Sequence, residues 1–140
     1  MNFKNGFLLC LVTLSTLSGC GPDCGQYEFE ELGDCRDLNT HFVGTWRPVS
    51  SECTGGNSLT PDNLVLVATG QPNHVRLDTT ELVCYDENTM AGWLGTDIYM
   101  SATYTLIDQG TSTYIPEVTV RYEFMPYTSS TFYCTVKYRK

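Results

Sequence analysis

The chain has 140 residues, 16 acidic and 8 basic, for a formal charge of −8 at pH 7. Such an acidic balance lacks the basic patches that phosphate recognition demands, which excludes nucleic acid as a partner. The length is that of one domain around one core.

Met1-Asn2-Phe3-Lys4-Asn5 carries one positive charge and precedes an uncharged run from Phe7 to Leu17. These are the charged and apolar regions of a secretory signal. A spanning helix needs about 20 apolar residues to cross a core of about 30 Å. This run is about half that length, so residues 1–19 are a signal peptide and not a permanent anchor. Leu17-Ser18-Gly19-Cys20 follows: a branched apolar residue, two small ones, then cysteine. The segment resembles the lipobox of bacterial prolipoproteins. That resemblance implies cleavage before Cys20, a thioether-linked diacylglycerol on its sulfur and usually a third acyl chain on the new amino group. One chain holds a protein marginally, whereas two or more, at about 0.8 kcal/mol per buried methylene, give stable anchoring. Gly21 stands where the family's sorting rules place Asp for inner-membrane retention. The expected location is therefore the bacterial cell envelope, with the outer membrane favoured and the membrane itself a partner through Cys20.

Removal of residues 1–19 takes Lys4 and no acid, leaving 7 basic and 16 acidic residues and a formal charge of −9. Asp23, Glu28, Glu30, Glu31, Asp34 and Asp37 crowd one stretch against Arg36 alone. Residues 20–40 lack sustained periodicity and read as an acidic tether, with a helical turn at Tyr27 to Leu32. The tail Lys137, Arg139 and Lys140 has the opposite sign. It either orients the domain over anionic headgroups or is simply solvated.

Residues 41–140 change to period two. Ile98, Met100, Ala102, Tyr104 and Leu106 alternate with polar neighbours, as do Val118, Val120, Tyr122 and Phe124, and Phe132, Cys134, Val136 and Tyr138. One wet and one apolar face is the pattern of an antiparallel sheet. Shorter strands are predicted at 42–51, 63–69, 74–79 and 81–86. Gly55-Gly56-Asn57, Pro61-Asp62, Gly70-Gln71-Pro72-Asn73, Asp108-Gln109-Gly110 and Pro126-Tyr127-Thr128 supply the turns. Residues 88–97, with Gly92 and Gly95, read as the longest internal loop. The fold class is all-β: a small antiparallel barrel or sandwich of about seven strands.

Gly44-Thr45-Trp46 on the first of these strands resembles the G-x-W motif that opens lipocalin barrels. In that family the Trp closes one end of the calyx and packs on an arginine of the last strand. The resemblance assigns that role to Arg139, with Arg121 as second choice. Pro48 departs from the pattern, because it removes a ladder donor and predicts a bulge or an edge. An immunoglobulin-like sandwich fits poorly, since Trp93 follows Cys84 too closely and Phe132 occupies the corner-tyrosine position before Cys134.

Cys10 leaves with the signal and Cys20 carries lipid, so Cys24, Cys35, Cys53, Cys84 and Cys134 are the disulfide candidates. Outside the cytoplasm they pair, giving two bridges and one leftover thiol, with connectivity open. A Cys24–Cys35 bridge would shorten the tether and hold the domain near the membrane. Cys84 and Cys134 share parity with apolar neighbours, which places both thiols inward and within reach of each other.

No metal or other cofactor is expected, because C-x-x-C is absent and His41 and His74 lack ligand spacing. Asp86-Glu87-Asn88 lacks the glycine and the twelfth-position Glu of a calcium loop and reads as a hairpin turn. No G-x-S-x-G or H-E-x-x-H occurs, so no catalytic residues are named and the chain is not expected to be an enzyme. Two functions compete. One is an envelope interaction protein that uses outward side chains such as Tyr99 and Tyr133 over a filled core. The other is a carrier that holds a small apolar ligand in the barrel behind Trp46. A cavity of a few hundred Å3 favours the carrier.

Overall fold

A computed structural model describes residues 22–110 and 112–140. The expected signal peptide, residues 1–19, and Cys20 lie outside the described residues. Two short strands, β1 (Glu28–Glu31) and β2 (Asp34–Asp37), form a hairpin of their own. Eight more follow: β3 (Gly44–Cys53), β4 (Leu64–Ala68), β5 (His74–Leu77), β6 (Thr80–Asp86), β7 (Thr89–Leu94), β8 (Ile98–Asp108), β9 (Tyr114–Phe124) and β10 (Phe132–Arg139). Each pairs antiparallel with the next, and β10 returns to β3, so the sheet closes into an up-and-down barrel. Closure removes the free edges that a sandwich would keep.

The period-two pattern predicts the inward face well, except at Leu106 near the end of β8, which is 56% exposed. Met100 and Ala102 of β8, Val118 and Val120 of β9, and Cys134, Val136 and Tyr138 of β10 are all buried. All but Cys134 meet Leu64, Leu66, Val75, Leu82 and Met90 from the other strands in one core. Pro48 marks a bulge: Lys137 pairs with Ser50 and Tyr138 with Pro48, leaving Val49 as the extra residue. Asp86-Glu87-Asn88 makes the hairpin turn expected of it, with the Asp86 carboxylate accepting from Asn88 N at 2.8 Å and Thr89 Oγ1 at 2.8 Å.

Two elements differ from the sequence expectation. The segment 88–97 is not a long loop, because Thr89–Leu94 is strand β7, paired with β6 and β8. Gly92 conceals it in the sequence. A Cβ there would sit 2.6 Å from Leu82 Cδ2, and Leu82 is fully buried, so the glycine serves close strand packing and is not a loop marker. The acidic stretch contains no helical turn and is not free tether. Residues 28–37 pair as the β1–β2 hairpin, and Cys24 and Cys35 are bridged with Cα atoms 5.5 Å apart.

The second bridge joins Cys53 to Cys134 across β3 and β10, at a Cα separation of 4.0 Å. The pairing of Cys84 with Cys134 does not occur. Both residues are buried as their parity predicts, but β6 stands four strands from β10 in either direction around the barrel. They face each other across the full width of the core. Cys53, by contrast, is the direct cross-strand neighbour of Cys134.

Candidate functional site

Because successive strands run in opposite directions, the start of β3, the end of β4 and the start of β5 lie at one end of the barrel, and so on around the circle. Trp46 near the start of β3 plugs this end. It is fully buried, donates its indole N–H to Phe42 O at 2.7 Å and meets Tyr104 edge-on. Phe42 and Leu38 seal the plug.

The cation on Trp46 is Lys140. Its Nζ lies 4.6 Å from the indole centroid and donates to Val43 O at 3.0 Å. Arg139 is turned outward, where it holds the buried carboxylate of Glu117 at 2.8 Å and 2.9 Å. Arg121 also faces out, over the ring of Tyr133 at 4.2 Å. Strand parity explains the correction: Tyr138 points in, so Arg139 points out and residue 140 comes back to the inner side. Gly44 completes the motif's logic. Its φ of +136° suits glycine, and a Cβ would meet Lys140 Cε at 3.1 Å, blocking the stem that delivers the cation.

The hairpin docks at this same closed end. His41 Nδ1 lies 3.0 Å from Glu87 O in the β6–β7 turn, and its Nε2 lies 3.0 Å from Glu31 Oε1 on β1. Its ring stacks on Tyr104 and meets Phe29 edge-on. Buried Asn39 donates to Gln71 O and His74 O at 3.1 and 2.9 Å, clasping the β4–β5 turn. The basic tail is consumed as well: Lys140 lies on Trp46, while Arg139 and Lys137 flank Glu117.

At the opposite end the barrel holds a cup of about 290 Å3. Leu59 to Leu64 form one wall, Leu77, Leu94 and Ile98 a second, and Tyr122, Phe124 and Tyr138 a third. The hydroxyls of Tyr122 and Tyr138 lie 3.2 Å apart. Burial, reinforced by the hydroxyl contact with Tyr138, pushes the Tyr122 phenol far up. Burial also raises Tyr138, against the opposing effect of its bond with Tyr122. Both phenols are therefore uncharged hydrogen-bonding groups in an apolar cup. Below the cup the interior is filled by the core side chains.

Outside the same end, Trp93, Tyr99, Glu123 and Tyr133 form one row across β7, β8, β9 and β10. Trp93 meets Tyr99 edge-on at 5.2 Å, and Tyr133 Oη donates to Glu123 Oε1 at 3.3 Å. The outward placement of Tyr99 and Tyr133 follows from strand parity. Trp93 was concealed with the rest of β7.

Among the described residues Cys84 is the cysteine without a bridge, buried on β6. Burial, with a smaller push from Asp86, raises its pKa from 9.0 to about 12. The unfolded thiol ionises near 9 and the folded one near 12, so its contribution to stability is intact below 9 and is lost as pH climbs to about 12. The slope is about 1.4 kcal/mol per pH unit across that window. Urea midpoints measured at pH 7.5 and 10.5 should therefore fall more in the wild type than in Cys84→Ala. Equal falls would show that the thiol does not contribute.

Among the described residues no group of three or more His, Cys, Asp or Glu side chains is arranged to hold a metal. Comparison with models of known protein families, with curated proteins and with solved structures found no match.

Proposed function

We propose that this chain is a lipid-anchored protein of the bacterial cell envelope, non-enzymatic, whose barrel binds a small apolar ligand in the cup opposite Trp46. The observation that carries the reading is the cup itself. Its volume of about 290 Å3 lies close to the lower bound of small-molecule sites, which are concave, largely apolar and furnished with a few polar groups. An apolar cavity of about 150 Å3 holds benzene, so twice that volume suits a molecule of about eight to ten carbons.

The lipobox resemblance at Cys20 supports the anchoring half. Three residues separate Cys20 from bridged Cys24, and the hairpin that carries the bridge is clasped to the closed end by His41. A lipid on Cys20 would thus leave the domain at the end away from the cup, and the mouth would open toward the aqueous side. The row of Trp93, Tyr99 and Tyr133 favours a second reading, a protein partner on the outer wall, since Trp93 is 49% exposed and aromatic residues anchor interfaces.

Each half has its own test. Cells given labelled fatty acid should label the wild type and not Cys20→Ala, which should persist as uncut precursor. Equal labelling would refute the anchor. Calorimetric titration of the folded domain with octan-1-ol should give a Kd in the micromolar to millimolar range, weakened at least tenfold in Leu94→Trp, which fills the cup. Val49→Trp on the outer wall should bind as the wild type does. Absence of binding, or equal binding by Leu94→Trp, would remove the carrier reading.

A further inference from the structure

The charge distribution around the mouth selects among apolar ligands. Four connections frame that end of the barrel: residues 54–63, 78–79, 95–97 and 125–131. Together they contain Asp62, Asp78 and Asp97 and no Lys, Arg or His. Asp62 also lines the cup, and none of the residues lining it is basic.

The bases of the described chain are engaged or placed elsewhere. Lys140 is folded over Trp46 at the far end, and Lys137 and Arg139 flank Glu117 on the outer wall. Arg121 covers Tyr133, and Arg36 lies on the docked hairpin beside Asp34. Arg47 and Arg76 are exposed on the outward parity of β3 and β5. An anionic head would therefore meet carboxylates at the mouth with no cation to receive it. A cationic head meets the Asp62 carboxylate that lines the cup. Tyr122 and Tyr138 hold their protons through burial, so they add hydroxyl dipoles and no charge of their own.

We infer that the cup takes an amphiphile with a cationic head, an alkyl or aryl amine of about eight to ten carbons, its apolar part on the cup walls and its ammonium beside Asp62. This rests on the carrier reading, which octan-1-ol tests separately. The experiment is a titration at pH 7.4 with three molecules that share a chain and differ at the head: octan-1-amine, octan-1-ol and octanoate. The wild type should bind octan-1-amine tightest and octanoate weakest, with about tenfold between them. In Asp62→Asn, an exposed loop substitution, the amine should lose about threefold more than the alcohol does. The preference should also shrink as salt rises, because charges at an exposed rim are screened. Octanoate binding as tightly as the amine would overturn the head-group assignment while the carrier reading stands. An Asp62→Asn variant with undiminished amine preference would overturn the role of Asp62. If none of the three binds, the carrier reading falls and this inference with it.

Discussion

Replacing Cys53 and Cys134 together by serine is expected to lower the stability of the barrel by about 4.5 kcal/mol, which is the loss that chain entropy assigns to opening a long loop. The two residues are 81 apart in sequence, and they tie the first barrel strand to the last, where closure brings the two ends of the meander together. The loss should appear as a lower urea midpoint at unchanged slope, and reductant should reproduce it in the wild type. The Cys24→Ser/Cys35→Ser pair provides the contrast. Its loop spans only 11 residues, for about 3 kcal/mol on the same reasoning, and that loss falls on the hairpin, outside the barrel. Near-ultraviolet dichroism from the barrel's aromatic core should therefore persist in the second variant and weaken first in the first on warming. A loss below about 1 kcal/mol for Cys53→Ser/Cys134→Ser would show that the unfolded chain is already compact around this seam.

Trp46→Ala should cost about 3–5 kcal/mol, the range for removing a large buried aromatic. The indole is fully buried at the centre of the plug, against Phe42 and Tyr104. Its removal also orphans Phe42 O, which accepts the indole N–H, and takes away the ring beneath Lys140. Trp46→Phe separates these effects, because it keeps most of the apolar volume and loses the donor. Its expected cost is about 1–3 kcal/mol, that of a buried carbonyl left unpaired. Thermal unfolding of the three proteins measures both steps. If Trp46→Phe were as destabilising as Trp46→Ala, the hydrogen bond rather than the packing would hold the plug. Neither variant should alter octan-1-ol binding in protein that remains folded, since the cup is lined from the other end.

The all-β class, the inward face of the long strands and, among the described residues, two disulfides with one thiol to spare are legible along the chain. These are local matters. Alternation along β8, β9 and β10 states which side chains share a face, and Cys24 and Cys35 are near enough in sequence to meet within one hairpin. Bulging at Pro48 was legible for the same reason, since a missing N–H is a property of one residue.

Which strands are neighbours follows from the folded chain alone. Parity places Cys84 and Cys134 inward without saying that β6 and β10 stand on opposite sides of a closed barrel. Gly92 looks like a loop residue until Leu82 is found where its Cβ would be. The choice between Arg139 and Lys140 lay within reach of the pattern, because the inward parity of Tyr138 already turns Arg139 outward. The cup was not within reach, because it is bounded by residues from six strands and a loop that share no interval in the chain. Periodicity records the direction of a side chain relative to its own strand, whereas a cavity depends on the register and closure of all the strands together.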